Sequence, residues 1–208
     1  MNPRHRRLLI PGLLAALLVV VVIAALAGRS EAATTPEARG EVVSTIDDPR
    51  ITEASGMAIS RDDDDLAYVV NDSDQAQELY AVEISTGDVV GVTRVTGGTW
   101  VDTEALAIDD DGTLWIADTG DNLVQRTDAA LYALPEPGRG DSTVEATRYP
   151  VAFDDGSEDA EALLVQPGTG AKFLVSKGFV AGDVYALPAD LSTTRTSVRL
   201  PSPRKSVA

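Results

Sequence analysis

Residues 102–122 decide the fold, and they read D-T-E-A-L-A-I-D-D-D-G-T-L-W-I-A-D-T-G-D-N. The runs at 105–108 and 114–117 are short and apolar, which is typical of two adjacent strands. Residues 109–112 between them have the composition of a tight turn, with a glycine for the positive φ that such turns need. The stretch therefore predicts a β-hairpin followed by a polar, acidic loop at 118–122.

The same pattern occurs three times along the chain. The first strand begins with Glu-Ala in each copy, at Glu53, Glu104 and Glu161, which are 51 and 57 residues apart. The third strand carries a tyrosine in each copy, at spacings of 52 and 53 residues. These tyrosines are Tyr80, Tyr132 and Tyr185. Four short strands in a unit of about 50 residues are typical of a β-propeller blade.

The predicted fold is all-β, with about three four-stranded antiparallel blades in an incomplete ring after an N-terminal apolar helix. The predicted blades span about 50–99, 100–156 and 157–203, with fourth strands at 92–95, 147–153 and 197–200. A β-sandwich is the alternative, but it would not explain three aligned copies in one order. Closed rings usually have about 4–8 blades, so the chain is predicted to be a truncated propeller, a fragment or one part of an oligomeric ring.

The predicted strand order places one candidate cation site. In an antiparallel meander, the start of strand one and the end of strand two lie at the same edge, so the repeated glutamates should meet at one channel mouth. Converging carboxylates repel one another unless a cation or a proton intervenes, and hard oxygen ligands suit Ca²⁺ or Mg²⁺. The other residues predicted on this ligand face are Asn71, Asp102, Asp121, Asn122, Asp159 and Lys177. The alternative is that each glutamate caps backbone amides within its own blade.

Two pieces of sequence carry a resemblance to known families. Residues 114–122, L-W-I-A-D-T-G-D-N, resemble the core of an NHL repeat, whose typical form runs V-A-D-T-G-N-N-R. The D-x-E-A-L pieces resemble strand starts in phytase-like and gluconolactonase-like six-bladed propellers. The resemblance implies a calcium or other divalent ion at the channel mouth, where those families hold one. The matching residues, and hence the predicted metal ligands, are Glu53, Glu104, Glu161 and Asp118.

The N-terminus predicts a signal peptide or a membrane anchor over residues 1–33. Three arginines precede an apolar run at 8–27, which is close to the ~20 residues that span a bilayer. Either alternative places the rest of the chain outside the cytoplasm, secreted or anchored to the cell membrane by this segment. Residues 34–49 are predicted to form a linker and a first strand.

Charge and composition exclude several classes of function. Residues 30–208 hold 13 Lys plus Arg against 33 Asp plus Glu, a formal charge of −20. Such a surface repels nucleic acid. The chain has no cysteine, which excludes a disulfide framework and a lipid-anchored lipoprotein. His5 is the only histidine and lies in the predicted leader, so no Ser-His-Asp arrangement is predicted.

Three functional hypotheses remain from the sequence. The first is an extracytoplasmic β-propeller-repeat module that binds a protein or a small-molecule ligand. The second is a divalent-metal-dependent hydrolase of phytase-like or lactonase-like type, with the three glutamates holding the ion and a bound water as nucleophile. The third is a truncated propeller without activity. Ca²⁺ is the candidate cofactor.

Overall fold

The computed structural model describes residues 40–73, 75–154, 156–178, 181–194 and 198–200. The predicted signal peptide or anchor at 1–33 lies outside the described residues. Within the described ranges, no helix combines the length and the apolar character that a membrane crossing would need. Nearly all of the described residues belong to one compact unit, residues 42–208.

The described part of the chain is all-β, with thirteen strands and no helix. The strands are β1 (Ala54–Ile59), β2 (Leu66–Asn71), β3 (Glu78–Glu83), β4 (Val89–Thr96), β5 (Ala105–Ile108), β6 (Thr113–Asp118), β7 (Ala130–Pro135), β8 (Ser142–Glu145), β9 (Thr147–Phe153), β10 (Ala160–Val165), β11 (Lys172–Ser176), β12 (Val184–Ala186) and β13 (Val198–Leu200). They form three sheets, which confirms the predicted all-β class.

Each sheet is built on an antiparallel meander. Sheet 1 has the order β1-β2-β3-β4-β8, sheet 2 the order β5-β6-β7-β9-β13, and sheet 3 the order β10-β11-β12. Sheets 1 and 2 therefore each contain four successive antiparallel strands, with a fifth strand paired in parallel at the far edge. The first strands lie side by side, because β5 contacts both β1 and β10.

The pairing register places the repeated tyrosines at the same position of each meander. The second strands end at Asn71, Asp118 and Ser176. Two residues earlier, Val69, Ile116 and Leu174 pair with Tyr80, Tyr132 and Tyr185, respectively. All three tyrosines are buried, as expected for aromatic side chains that hold a core together.

The core lies between neighbouring sheets, and sheet 2 is buried on both faces. Leu114 and Ile116 of β6 pack in the cluster shared with sheet 1, whereas Trp115 and Ala117 pack in the cluster shared with sheet 3. A strand covered on both faces reads as a continuous apolar run instead of an alternating one. This explains why the sequence L-W-I-A shows no polar alternation.

The strand β13 differs from the prediction. Residues 197–200 were expected to form the fourth strand of the third unit, but β13 pairs in parallel with β9 of sheet 2. In the same way β8, which the sequence pattern missed, pairs in parallel with β4 of sheet 1. Both strands extend the edge of the preceding sheet, so β13 is the counterpart of β8. An edge strand of four alternately half-buried and exposed residues, such as β8, carries little apolar signal.

The segment before β1 lies outside the strands. Residues 41–48 were predicted to include a first strand, but they take part in no ladder of the described residues. Instead Ile46 packs against the face of sheet 1 that contains Val69 and Tyr80. The Ser44 hydroxyl donates to the Ile84 carbonyl at 2.6 Å. Side-chain packing therefore fastens this segment to sheet 1.

Candidate functional site

Five carboxylates from the three repeats converge at one edge of the sheets, and we call this set the acidic cluster. Its members are Asp72, Asp102, Glu104, Asp159 and Glu161. They form two groups of three that share Glu104, namely Asp72, Asp102 and Glu104, and Glu104, Asp159 and Glu161. Within each group, one oxygen from each residue lies within 4.8 Å of the others.

The register explains how two of the glutamates come together. In β10 the pairing skips Glu161, and in β1 it skips Ser55, so each of these residues occupies a bulge. A bulge re-aims the side chain of the extra residue. Glu104 holds the same position in sheet 2, immediately before Ala105, which pairs with Ala117. The equivalent residues of the three repeats are therefore Ser55, Glu104 and Glu161.

Glu53 lies apart from the acidic cluster. It is exposed and belongs to neither carboxylate group of the described residues. The piece E-A-S-G-M-A-I is two residues longer than E-A-L-A-I. When the two pieces are aligned from the hairpin end, Ser55 therefore takes the position equivalent to Glu104. The Ser55 hydroxyl donates to Glu104 Oε2 at 2.8 Å. The first repeat thus contributes a hydroxyl and Asp72, which follows directly after β2.

Asp118 is buried and bonded within the chain, outside both carboxylate groups. Its Oδ1 accepts from the backbone amides of Val101 at 3.0 Å and Asp102 at 2.7 Å. Arg126 Nη2 lies 3.1 Å from the same oxygen. These bonds fix the backbone that carries Asp102, so Asp118 positions a member of the cluster.

Asn71 has the corresponding role in the first repeat. Its Nδ2 donates to the carbonyl of Arg50 at 2.7 Å, and its Oδ1 accepts from the amide of Glu53 at 3.3 Å. The ends of the second strands therefore bind the backbone that leads into the first strands. Capping of amides, which the sequence offered as an alternative role for the glutamates, is done here by Asn71 and Asp118.

The sequence reasoning missed Arg126, which comes from the loop after β6. That loop is five residues longer than its counterparts, and its length was the only signal in the sequence. Arg126 Nη1 donates to the carbonyl of Gly120 at 2.6 Å, and Nε lies 3.1 Å from Asp128 Oδ1. The guanidinium group therefore spans the loop and neutralises Asp118.

The remaining predicted residues of the ligand face have distinct places. The amide of Asp121 donates to Asp159 Oδ1 at 2.8 Å, and Asp121 Oδ2 accepts from the amide of Arg126 at 2.7 Å. Lys177 Nζ lies 2.5 Å from Glu161 Oε1 and 3.7 Å from Asp159 Oδ2. Asn122 is exposed. Asp121 thus supports the cluster, and Lys177 is paired with two of its members.

Burial and mutual repulsion raise the pKa of two members of the cluster. Burial, then the neighbouring Asp72 carboxyl, raises the pKa of Asp102 to about 6. Burial also raises the pKa of Glu104 to about 7, with further increases from the charges of Glu161, Asp72 and Asp102 and an opposing effect of the Ser55 hydrogen bond. Asp102 is 8% exposed and Glu104 is 5% exposed. Among the described ion pairs, Lys177 pairs with Glu161 and Asp159, and none involves Asp72, Asp102 or Glu104.

A divalent cation fits the first group. Asp102 Oδ1 is buried and has no hydrogen-bond partner among the described residues. Buried polar atoms normally have a partner, and an exception calls for an explanation such as an ion. Gly120 leaves room beside the other oxygen of this carboxylate, because a Cβ at position 120 would lie 2.6 Å from Asp102 Oδ2 and closer still to Glu104 Oε1. Carboxylate oxygens are the ligands that Ca²⁺ and Mg²⁺ prefer.

The raised pKa values predict that the metal-free chain loses stability as the pH rises from about 5 to 8. The folded state keeps protons on Asp102 and Glu104 that the unfolded chain, with pKa values near 4, has released. Their contribution to stability is present below about pH 4 and is lost as the pH rises through about 6 and 7. Urea unfolding in a chelator should show a decrease on the order of 2–4 kcal/mol.

The variant Glu104→Gln supplies the control for this prediction. Glutamine has no proton to lose, so the decrease between pH 5 and 8 should be visibly smaller than in the unchanged chain. Equal slopes for the two proteins would contradict the assignment of the pH dependence to Glu104.

Neither the protein-family models nor the curated proteins give a match to this chain.

Proposed function

We propose that the three sheets are blades of a β-propeller and that the acidic cluster at their common edge binds a divalent cation, with Ca²⁺ as the first candidate. The protein is then an extracytoplasmic, calcium-dependent binding module. Its partner is a protein or a small-molecule ligand presented to the face that carries the cluster.

The topology supports the propeller. Four-stranded antiparallel meanders are the repeating unit of that fold. Sheets 1 and 2 contain such meanders, sheet 3 contains the first three strands of one, and the tyrosines share one register position. The first strands of the sheets are neighbours, as they are around a propeller channel. A single sandwich of two sheets would not produce three consecutive units with equivalent registers.

The observation that carries the cation site is the Asp102 carboxylate, which belongs to a group of three carboxylates and whose buried Oδ1 has no hydrogen-bond partner among the described residues. Leaving a buried carboxylate oxygen without a partner costs free energy, and adding two further carboxylates increases that cost. A bound cation removes both penalties together. Arg126 relieves them only in part, because its charge lowers the pKa of Asp102 while its guanidinium contacts Asp118, Asp128 and the Gly120 carbonyl.

The bound ion would supply positive charge to the edge of a strongly acidic domain. Residues 30–208 carry a formal charge of −20, so a cation at the cluster creates a local contrast in charge. Ca²⁺ accepts six to eight oxygen ligands. Where the protein supplies only some of them and solvent supplies the others, oxygens of a bound partner molecule can replace the solvent. An anionic or oxygen-rich partner is the class that this arrangement favours.

Calorimetric titration of the full chain with CaCl₂, after removal of metal with a chelator, tests the proposal. We expect saturable binding of one Ca²⁺ per chain at neutral pH. The matched control is Asp64→Asn, which removes one exposed carboxylate from the turn after β1 and should bind Ca²⁺ as the unchanged chain does. Absence of saturable binding, or equal loss of binding in Asp64→Asn, would contradict a specific site.

A further inference from the structure

We infer that the ammonium group of Lys177 acts as a built-in counter-ion that occupies the second carboxylate group and limits the cluster to one divalent cation. The inference rests on the proposed function, because it concerns how many ions the same cluster accepts. It predicts that removing the lysine charge creates a second calcium site beside the first.

The two carboxylate groups differ in where their positive charge comes from. In the second group, Lys177 Nζ lies 2.5 Å from Glu161 Oε1 and 3.7 Å from Asp159 Oδ2. The hydrogen bond with Glu161, followed by the charges of Glu161, Asp159 and Glu104, raises the pKa of Lys177, so the amine is protonated. Among the described ion pairs, none involves a carboxylate of the first group.

The first group shows the complementary feature. Asp102 and Glu104 are more than nine-tenths buried, and Asp102 Oδ1 has no partner among the described residues. Arg126, the other nearby cation, is bonded to Asp118 and Asp128. The second group therefore contains a cation that the chain supplies, whereas the first group requires a cation from solution.

The second group is otherwise suited to hold an ion. Its three carboxylates have oxygens within 4.8 Å of one another, as those of the first group do. Asp159 is held in place, because its Oδ1 accepts from the amide of Asp121 and its carbonyl accepts from the amide of Lys177 at 2.6 Å. Glu104 belongs to both groups and can bridge two ions, as shared carboxylates do in sites where two metals lie about 3.5–4 Å apart.

The position of Lys177 allows its charge to be removed without disturbing the backbone of the site. The Lys177 side chain is 55% exposed, whereas its backbone is fixed to that of Asp159. An exposed ion pair contributes only about 0–1 kcal/mol to stability, so the charge can be removed by substitution without loss of the fold. Removing it changes the charge beside Glu161, Asp159 and Glu104.

The experiment compares the calcium stoichiometry of the full chain with that of Lys177→Met, which keeps the length of the side chain and removes its charge. Isothermal titration with CaCl₂ should give one ion per chain for the unchanged protein and two for Lys177→Met. Lys177→Arg retains a cation and should bind one. The control Arg94→Gln removes an exposed positive charge near Glu78 and should also bind one, which excludes a general effect of net charge.

The outcomes separate this inference from the proposed function. Two ions in Lys177→Met, with one in the other three proteins, support it. One ion in both the unchanged chain and Lys177→Met overturns it and leaves the proposed function intact. Two ions in Arg94→Gln overturn it as well, because the effect would then come from net charge. No binding by any of the proteins overturns the proposed function and the inference together.

Discussion

Replacing Glu104 with glutamine is expected to abolish the rise in melting temperature that calcium produces in the full chain. Glu104 is the carboxylate that both groups of the acidic cluster share, so its loss removes a ligand from either arrangement. At a calcium concentration about 100 times the dissociation constant, binding to the folded state alone adds about 2.7 kcal/mol. For a domain of this size that corresponds to roughly 5–10 °C in melting temperature.

The same substitution is expected to stabilise the metal-free protein at pH 8. Burial and neighbouring charges raise the pKa of Glu104 to about 7, so its ionised form is disfavoured in the folded state. A glutamine keeps the shape and can still contact the Ser55 hydroxyl, but it carries no charge. The expected gain is on the order of 2 kcal/mol, and the sign of the effect reverses when calcium is added to both proteins.

Differential scanning calorimetry with and without calcium measures both effects. The matched control is Glu145→Gln, an exposed change of the same chemistry on the edge strand β8. Glu145→Gln should keep the full calcium-dependent rise. A rise of equal size in Glu104→Gln would show that calcium stabilises the chain elsewhere.

The second large effect is expected from Asp118→Ala, which should destabilise the fold by about 3–5 kcal/mol. The carboxylate is 1% exposed and accepts from the amides of Val101 and Asp102 while pairing with Arg126. Alanine leaves the two amides without their acceptor and removes the buried carboxylate that pairs with Arg126. Unpaired buried polar and charged groups account for most large losses of stability.

The variant Asp118→Asn separates the contribution of the Asp118 hydrogen bonds to stability from the contribution of its charge. The first repeat already uses an asparagine, Asn71, at the equivalent position, so an amide oxygen can accept from this backbone. Asp118→Asn should therefore cost less than Asp118→Ala and lose only the attraction to Arg126. Chemical unfolding of the two variants beside Asn122→Ala, an exposed change in the same loop, measures the difference. Equal stability of Asp118→Ala and the unchanged chain would contradict the positioning role.

The sequence could predict the strands because turn chemistry and apolar runs are local signals. The predicted runs at 105–108 and 147–153 coincide with β5 and β9. The spacing of the tyrosines predicted their common register, since three buried aromatic side chains at one strand position require similar surroundings. The parallel pairings of β8 and β13 could not be predicted from local sequence, because they depend on which sheet edge the segment lies against.

The sequence predicted that carboxylates converge at one edge, but it identified only some of the residues of the acidic cluster. Glu104 and Glu161 were identified by their repetition, whereas Glu53 was aligned from the wrong end of its strand and lies two residues before the equivalent Ser55. A bulge changes which residue points toward the neighbouring sheet, and no local propensity reports it. The partner of Asp118 was hidden for another reason, because Arg126 lies eight residues further along a loop of irregular length.

Crystals of the full chain grown with calcium, measured at a wavelength where calcium scatters anomalously, show directly whether the acidic cluster binds the ion. We expect an anomalous peak about 2.3–2.6 Å from carboxylate oxygens of Asp72, Asp102 and Glu104. Beside Glu161 and Asp159 we expect Lys177 Nζ and no anomalous peak. An acidic cluster without a peak, in crystals where calcium is bound at other surface positions, would contradict the proposal that this cluster is the cation site.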